Sequence, residues 1–312
     1  MSARAKGKSL HARLARDEEP TLITPEVLRA MPLPWPDEGG DKEERGRVLV
    51  VGGGRETPGA VVLAGTAALR AGAGKLQVAT GASNAALVAS ALPEARVFAL
   101  PETRTGKFSR AAGAKLEEHL SKAQCVCIGP GMIEDESVAR FVEGTLRMCR
   151  DVPVVLDAGA AACLGVGRGL LHALGGRAVV TPNADELEEI YGEKFVGRGG
   201  ALVAARRAAS EFRAVVVLKG RETFIASPEG DTYVNRAGSV GLATSGSGDV
   251  LAGVIAGLVA RGAEAARAAA WGVYLHALAG ESLSRRVGPL GFLARELPAE
   301  IPPLMSELSK KV

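Results

Sequence analysis

Apolar residues along this chain follow two alternating patterns from residue 47 onward. Short runs that are apolar at nearly every position are separated by longer amphipathic stretches with helical spacing. Continuously apolar strands are typical of a parallel sheet that helices cover on both faces. The pattern predicts strands at residues 48–51, 76–79, 96–100, 125–128, 154–156, 178–180 and 215–218. It predicts helices between them at residues 59–73, 84–90, 111–121, 137–150, 184–191 and 202–212.

The pattern changes after residue 218. Two short apolar segments, residues 223–226 and 231–235, flank a turn that contains proline and glycine, which predicts an antiparallel hairpin. Two long helices are predicted after the hairpin, at residues 247–260 and 264–284. The whole series indicates an α/β protein with a mostly parallel central sheet flanked by helices.

The first 45 residues are polar, charged and interrupted by proline and glycine. They predict a tail or an irregular arm rather than a packed element, with one short helix that begins at Pro25 and is capped by Thr24. We therefore divide the chain into an N-terminal arm, residues 1–45, and one α/β domain, residues 46–312.

Composition argues against two classes of partner. The 38 basic and 35 acidic residues give a net charge of +3, and 4% of residues are aromatic, so we expect neither the basic surface nor the stacking side chains of a nucleic-acid-binding protein. The longest apolar run, residues 250–260, is about half of the roughly 20 residues that cross a bilayer. We expect no membrane association, and a cytoplasmic location because no apolar stretch follows the basic residues near the start.

Cysteine and histidine are scattered without the spacing of metal ligands, so no zinc site is predicted. The expected state of all four cysteines is a reduced, buried or nearly buried thiol. They are Cys125, Cys127, Cys149 and Cys163.

The segment before the helix at residues 247–260 is the strongest candidate for chemistry. Gly241, Gly246 and Gly248 lie within eight residues of Asp249, where that helix begins. Glycines allow a tight turn, and the free amides and partial positive charge of a helix N-terminus favour phosphate oxygens. Asp249 would then lie beside a phosphate as a general base. The alternative is that Asp249 only caps the helix and the glycines only form a turn.

Five predicted strands end in glycine, proline or polar residues, and ligands of open α/β sheets bind at that edge. Ordinary turn chemistry explains each strand end taken separately. Five of them beside the glycine-rich loop favour a binding site. The segments are Gly52-Gly-Gly54, Gly129-Pro-Gly131, Asp157-Ala-Gly159, Thr181-Pro-Asn183 and Lys219-Gly220.

These motifs, taken in order, resemble those of the ribokinase-like superfamily. The Gly-Ser-Gly-Asp249 segment is similar to the motif that marks the superfamily. A second set resembles the branch of ADP- or ATP-dependent NAD(P)H-hydrate dehydratases, which repair hydrated nicotinamide cofactors. That set is Ala68-Leu-Arg-Ala-Gly-Ala-Gly74 and Leu92-Pro-Glu94, and Ile128-Gly-Pro-Gly131 is among the other matching segments. The resemblance covers about residues 47–285. It implies a ribokinase-like fold, Mg²⁺ with ADP or ATP as co-substrate, hydrated NADH or NADPH as substrate, and a homo-oligomer such as a tetramer.

The resemblance also implies roles for particular residues. Asp249 corresponds to the catalytic base, which also contacts the substrate. Ala60 and Gly131 correspond to positions that contact the hydrated dinucleotide. The residues that correspond to the nucleotide site are Lys219, Gly220, Arg221, Glu222, Thr223, Gly246 and Gly248.

This chain departs from the dehydratase pattern at residues 181–186. Asn183 takes the place of a histidine that contacts substrate in the dehydratases, and it begins an Asn-x-x-Glu pattern that resembles the superfamily's kinases. In those kinases the acidic residue, here Glu186, helps to organise magnesium, often through water. The alternative is that Asn183 caps a helix and Glu186 is a solvated acid in its first turn.

Two other functions stay open on the sequence alone. One is a small-molecule kinase of the same fold that acts on a vitamin precursor or a sugar alcohol, because a fold does not fix a substrate. The other is a nucleotide-binding regulatory protein without catalysis. The presence of both Asp249 and Lys219 argues against the second.

Overall fold

A computed structural model describes residues 19–36, 39, 41–109, 111–165, 167–195 and 199–310. Within them the strands form one ten-stranded sheet in the order β1-β10-β9-β8-β7-β6-β5-β2-β3-β4. The strands are β1 (Thr21–Leu22), β2 (Arg47–Val51), β3 (Lys75–Gly81), β4 (Ala95–Leu100), β5 (Cys125–Ile128), β6 (Val154–Leu156), β7 (Ala178–Val180), β8 (Val215–Leu218), β9 (Thr223–Ala226) and β10 (Thr232–Asn235).

Helices follow most of the strands. They are α1 (Pro25–Ala30), α2 (Gly59–Arg70), α3 (Ala85–Ala91), α4 (Ala111–Leu120), α5 (Glu136–Met148), α6 (Ala158–Ala162), α7 (Ala184–Tyr191), α8 (Gly200–Phe212), α9 (Ser247–Ala260), α10 (Ala265–Arg286) and α11 (Leu297–Ser309). The structure confirms every strand and helix that the hydrophobic pattern predicted, within a few residues at each end.

The sheet is parallel from β4 to β8, and β9 is antiparallel to both of its neighbours, β8 and β10. The predicted α/β class and the hairpin are therefore confirmed. Because β2 and β5 to β8 run in the same direction, their carboxyl ends meet along one edge of the sheet. The loops that leave this edge carry the polar residues singled out in the sequence.

Alternation along the strands divides the core between the two faces of the sheet. In β2, Val48 and Val50 belong to the apolar cluster beneath α2, α9 and α10. Leu49 and Val51 belong to the cluster beneath α4, α5 and α8. Apolar side chains on both faces explain why the strands are continuously apolar in sequence.

Helix α9 packs unusually close to α2. A methyl group added to Gly253 would overlap the carbonyl oxygen of Ala64, and one added to Gly257 would come 2.5 Å from the carbonyl oxygen of Ala68. Two glycines one turn apart thus let the helix backbones touch, which confirms that they serve packing. The contact holds α9 against α2 along the middle and the last turns of α9.

Residues 19–36 of the N-terminal arm are packed against the domain. The strand β1 pairs in parallel with β10, and the Trp271 indole donates to the carbonyl oxygen of Met31 at 2.9 Å. Arg261 donates to the carbonyl oxygen of Pro34 at 2.7 Å. The expected irregular arm is therefore wrong for this stretch, because side chains from helices far along the chain satisfy its backbone. The predicted helix at Pro25 is confirmed, with Thr24 as its cap. Residues 1–18 lie outside the described residues.

Helix α11 has no counterpart among the predicted elements. Pro298 lies in its first turn, and Pro302 and Pro303 lie inside it, which argues against a helix on propensity alone. Its buried Leu297, Ile301 and Met305 join the cluster around α9 and α10, so burial outweighs the poor local propensity.

Two expectations from composition concern the described residues as a whole. All four cysteines are free and buried, as predicted. No helix in the described part of the chain combines the length and the apolar character that a bilayer crossing needs.

Candidate active site

The candidate site lies at the carboxyl edge of the parallel strands, where the loops after β2, β5, β6, β7 and β8 meet the first turn of α9. Asn183 after β7 and Lys219 after β8 are joined by an isolated β-bridge, so these two strand ends are in contact. A cleft of about 1120 Å³ opens beside them, between the β8–β9 loop, residues 235–244 and helices α9 and α10. Sites for small molecules commonly measure roughly 300–1,000 Å³, so this cleft has room for a nucleotide.

The glycine-rich loop turns sharply into α9 at Gly246. Its φ of 88° lies in the left-handed region, which glycine adopts at little cost. The amide of Ser247 donates to the carbonyl oxygen of Thr244 and that of Val250 to the carbonyl oxygen of Gly246. Among the described residues the amides of Gly248 and Asp249 have no hydrogen-bond partner, so they are available to a ligand at the positively polarised end of the helix. Gly248 itself lines the cleft.

Asp249 lies in the first turn of α9 and is largely buried. Burial, the largest cause, and the negative charge of Asp157 raise the pKa of Asp249 to about 7, against the opposing effects of Lys219 and of a hydrogen bond from the Gly131 amide. A carboxylate whose pKa lies near neutrality is suited to take a proton from a hydroxyl and later release it.

Lys219 connects three of the strand ends. Its Nζ lies 3.1 Å from Asp157 Oδ1 after β6 and 3.8 Å from Glu186 Oε2 in α7. Burial disfavours the charge, but the two carboxylates outweigh it and the pKa of Lys219 is raised. Thr181 donates to the same oxygen of Asp157 at 2.7 Å. Lys219 therefore stays protonated and fixed, close to Gly248 and the cleft.

Asn183 forms a capping box with Glu186. Its side-chain oxygen accepts from the Glu186 amide at 2.8 Å, and its own amide donates to Glu186 Oε2 at 2.7 Å. The alternative interpretation of Asn183 as a helix cap is therefore confirmed. The same capping bond holds the Glu186 carboxylate on the side of Lys219.

The donors near Lys219 fit a magnesium ion that a nucleotide carries, not a metal held by protein alone. Among the described residues, no three His, Cys, Asp or Glu side chains come together as a metal site. Mg²⁺ usually keeps several waters and binds through one or two carboxylates together with substrate phosphates. Glu186 and Asp157, which both lie by Lys219, are two such carboxylates.

The loops after β2 and β5 form the other side of the site. Gly131 has a φ of 68°, and a methyl group added there would come 2.8 Å from Ala60 Cβ. The Thr57 hydroxyl donates to the carbonyl oxygen of Gly131 at 2.7 Å. Ala60, Gly131 and Asp249 are thus brought together, because Gly131 contacts both of the others.

Most of the residues predicted to contact nucleotide also lie together. The β8–β9 loop supplies one wall of the cleft, with Lys219, Gly220, Arg221, Glu222 and Thr223. Gly246 is placed differently: a methyl group added to it would overlap Leu63, which is on α2. The structure thus gives Gly246 a conformational task at the start of α9, and its contact with nucleotide stays a prediction.

Sequence reasoning did not single out two residues of the site. Asp157 was part of a strand-end motif, but the charge that it places near Asp249 depends on strand order. His276 in α10 lines the cleft and is 8% exposed. Its sequence signal was weak, because an isolated histidine in an apolar helix is as easily a core residue.

The sheet order, the glycine turn into α9 and the carboxylate beside it define a ribokinase-like fold. A ribokinase-like protein of Enterococcus faecalis has the same fold, with a TM-score of 0.80 at 24% identity over 93% of this chain and 96% of that one. The family model for NAD(P)H-hydrate dehydratase matches residues 48–303. The chain belongs to the NAD(P)H-hydrate dehydratase family.

Two relatives and a second solved structure agree with this assignment. The chain is 46% identical to the ADP-dependent (S)-NAD(P)H-hydrate dehydratase of Xanthomonas campestris over 92% of this chain and 97% of that protein. It is 38% identical to the bifunctional NAD(P)H-hydrate repair enzyme of Moorella thermoacetica, of which it spans 55%. The Bacillus subtilis ADP/ATP-dependent NAD(P)H-hydrate dehydratase, crystallised with ATP and Mg²⁺, gives a TM-score of 0.75 at 29% identity over 93% and 99% of the chains.

Proposed function

We propose that this protein removes water from hydrated NADH or NADPH and restores the reduced cofactor, with ADP or ATP as the phosphoryl donor. The observation that carries the proposal is the position of Asp249. Its carboxylate has a pKa of about 7, and it lies between Gly131 on the predicted substrate side and Gly248 in the nucleotide cleft. A carboxylate at this position can contact both the hydrated dinucleotide and the nucleotide.

In this mechanism Asp249 accepts the proton of the ring hydroxyl while the hydroxyl oxygen attacks the terminal phosphoryl group of the nucleotide. ADP would leave as AMP, and ATP as ADP. The phosphate ester then breaks as the ring nitrogen donates its electron pair, and loss of a proton from the neighbouring ring carbon restores the double bond. The raised pKa of Asp249 supports this role, because a base with a pKa near the working pH transfers protons efficiently.

The remaining groups hold the phosphates. In this proposal the amides of Gly248 and Asp249, unpaired among the described residues, and the charge of Lys219 would stabilise the negative charge of the transferring phosphoryl group, as fixed donors do. Glu186 and Asp157 are the carboxylates that would hold the water shell of a nucleotide-bound magnesium ion. When bound, the ion would neutralise phosphate charge.

A direct assay supplies hydrated NADPH with ADP and follows the recovery of dihydronicotinamide absorbance. We expect recovery that requires nucleotide, together with release of AMP and inorganic phosphate. A reaction without nucleotide, or none with either ADP or ATP, would reject the proposal. A stable phosphorylated product from a vitamin precursor or sugar alcohol would instead support the kinase alternative that the Asn183 and Glu186 pattern raised.

We also propose that the protein is cytoplasmic and that it forms a homo-oligomer. Scattering measurements of molar mass in solution would decide the second. A monomeric mass at working concentrations would contradict it.

A further inference from the structure

His276 is a buried group for which the mechanism above has no role. It lies on α10, where Val273 and Ala277 also line the cleft, and it faces Ser247 in the first turn of α9. The ring is therefore placed between the phosphate end of the cleft at Gly248 and an apolar wall formed by α10.

The hydrogen bonds of His276 determine where its proton lies. Nε2 is 3.0 Å from the carbonyl oxygen of Ser247 and 3.1 Å from the Ser247 hydroxyl. A carbonyl oxygen can only accept, so Nε2 must carry the hydrogen. Burial, together with the charge of Lys219, lowers the pKa of His276 to about 4 against the effect of the Ser247 contact. The ring is therefore neutral near pH 7, and Nδ1 is left as an acceptor.

The other ring nitrogen of His276, Nδ1, is unpaired among the described residues and is accessible from the cleft. Within the described part of the chain it has no hydrogen-bond partner, since both hydrogen-bond contacts of the ring involve Nε2. Among the described residues, three buried side-chain polar atoms lack a hydrogen-bond partner: Arg29 Nε, Gln77 Oε1 and Asn235 Oδ1. Nδ1 is not one of them, so it remains accessible on a ring that lines the cleft.

We propose that His276 recognises the ribose of the bound nucleotide through a hydrogen bond from a ribose hydroxyl to Nδ1. Phosphate oxygens are largely deprotonated near pH 7, so they are poor hydrogen-bond partners for an acceptor, whereas a ribose hydroxyl always carries a hydrogen. In a nucleotide the ribose joins the phosphate to the base, and the ring lies between the phosphate end and the apolar wall. This inference rests on the proposed use of ADP or ATP and adds a contact to it.

Two substitutions of His276 distinguish the role of Nε2 from the role of Nδ1. In His276→Gln the side-chain amide reaches the place of Nε2, so it can keep the contact with Ser247 but leaves no acceptor at Nδ1. In His276→Asn the shorter amide reaches the place of Nδ1, so it keeps the acceptor and loses the contact with Ser247. A purely structural role predicts that His276→Gln is the milder change for every nucleotide.

The experiment is calorimetric titration of the full chain with ADP, 2′-deoxy-ADP and 3′-deoxy-ADP near pH 7.5. For the wild type we expect one deoxy analogue to bind about tenfold more weakly than ADP, the loss of one hydrogen bond. His276→Gln should bind ADP and that analogue equally, with ADP weakened about tenfold. His276→Asn should keep the preference for ADP, and its melting temperature should fall.

Several results would overturn the inference. One is equal wild-type binding of ADP and both deoxy analogues, or no binding of ADP at all. Another is a His276→Gln variant that still discriminates. Purine riboside diphosphate, which lacks the 6-amino group, tests the base as the donor instead. If it alone binds weakly, the ribose assignment is wrong. Because binding needs no turnover, discrimination in an inactive protein would reject the proposed reaction and keep this contact.

Discussion

The pKa of Asp249 is determined by the surrounding residues more than by the carboxyl group itself. A solvated aspartate has a pKa of roughly 4, and burial beside Asp157 raises that of Asp249 to about 7. The position of Asp249 at a helix start was predictable from the glycines before it. The upward shift of its pKa was not predictable, because it depends on the strand order that brings β6 next to α9. The bond between the Gly131 amide and Asp249 depends on the same arrangement.

The charge of Asp157 should control the pH at which the enzyme becomes active. In the wild type, kcat/KM should rise as Asp249 loses its proton through pH about 7. Asp157→Asn removes a negative charge, so the pKa of Asp249 should fall and the rise should move about one unit to lower pH. Steady-state rates from pH 5 to 9 measure this, with Glu143→Gln on the α5 surface as the control that leaves the profile in place. An unmoved profile for Asp157→Asn would exclude the coupling.

The same burial should make Asp249 costly for the stability of the folded protein. Because the folded pKa lies above the unfolded value, ionisation destabilises the fold as pH rises from about 4 to about 7. Asp249→Asn should therefore be more stable than the wild type by about 2–4 kcal/mol at pH 8 and nearly equal to it at pH 4. Urea unfolding at the two pH values tests this. A variant that is less stable at pH 8 would mean that the carboxylate is better solvated than its burial indicates.

At the scale of elements, the sequence predicted what depends on local pattern. Strands such as β5 and β8 are apolar at every position and are buried on both faces. Two elements that escaped prediction depend on distant partners. The strand β1 has only two residues and exists because it pairs with β10. Helix α11 contains prolines and is held by its apolar face.

The packing of α9 on α2 gives a matched pair of glycine substitutions. In Gly253→Ala the new methyl group would overlap the Ala64 carbonyl oxygen, so we expect a loss of at least about 3 kcal/mol or failure to fold. In Gly144→Ala, on the exposed face of α5, the methyl group meets nothing within 4 Å, and we expect a gain of about 0.5–1 kcal/mol from helix propensity. Melting temperatures compare the two. A harmless Gly253→Ala would show that the helices do not touch as described.

At the scale of the whole molecule, the site is a product of topology. Residues from the ends of five parallel strands, from the start of α9 and from α10 form it, and they are scattered from Gly52 to His276 in sequence. That the strand-end residues would share one edge followed from the alternation of strands and helices. Two contacts could be seen only in the packed structure. Lys219 lies between Asp157 and Glu186, and His276 contacts Ser247.

The measurement that tests the account most directly is the nucleotide-dependent dehydration of hydrated NADPH by the wild type and by Asp249→Asn. The wild type should restore dihydronicotinamide absorbance only with ADP or ATP. Asp249→Asn keeps the size of the side chain, and it should still bind nucleotide but turn over about 10²–10⁴-fold more slowly. No recovery by the wild type, or an Asp249→Asn variant with most of its turnover, would contradict the account.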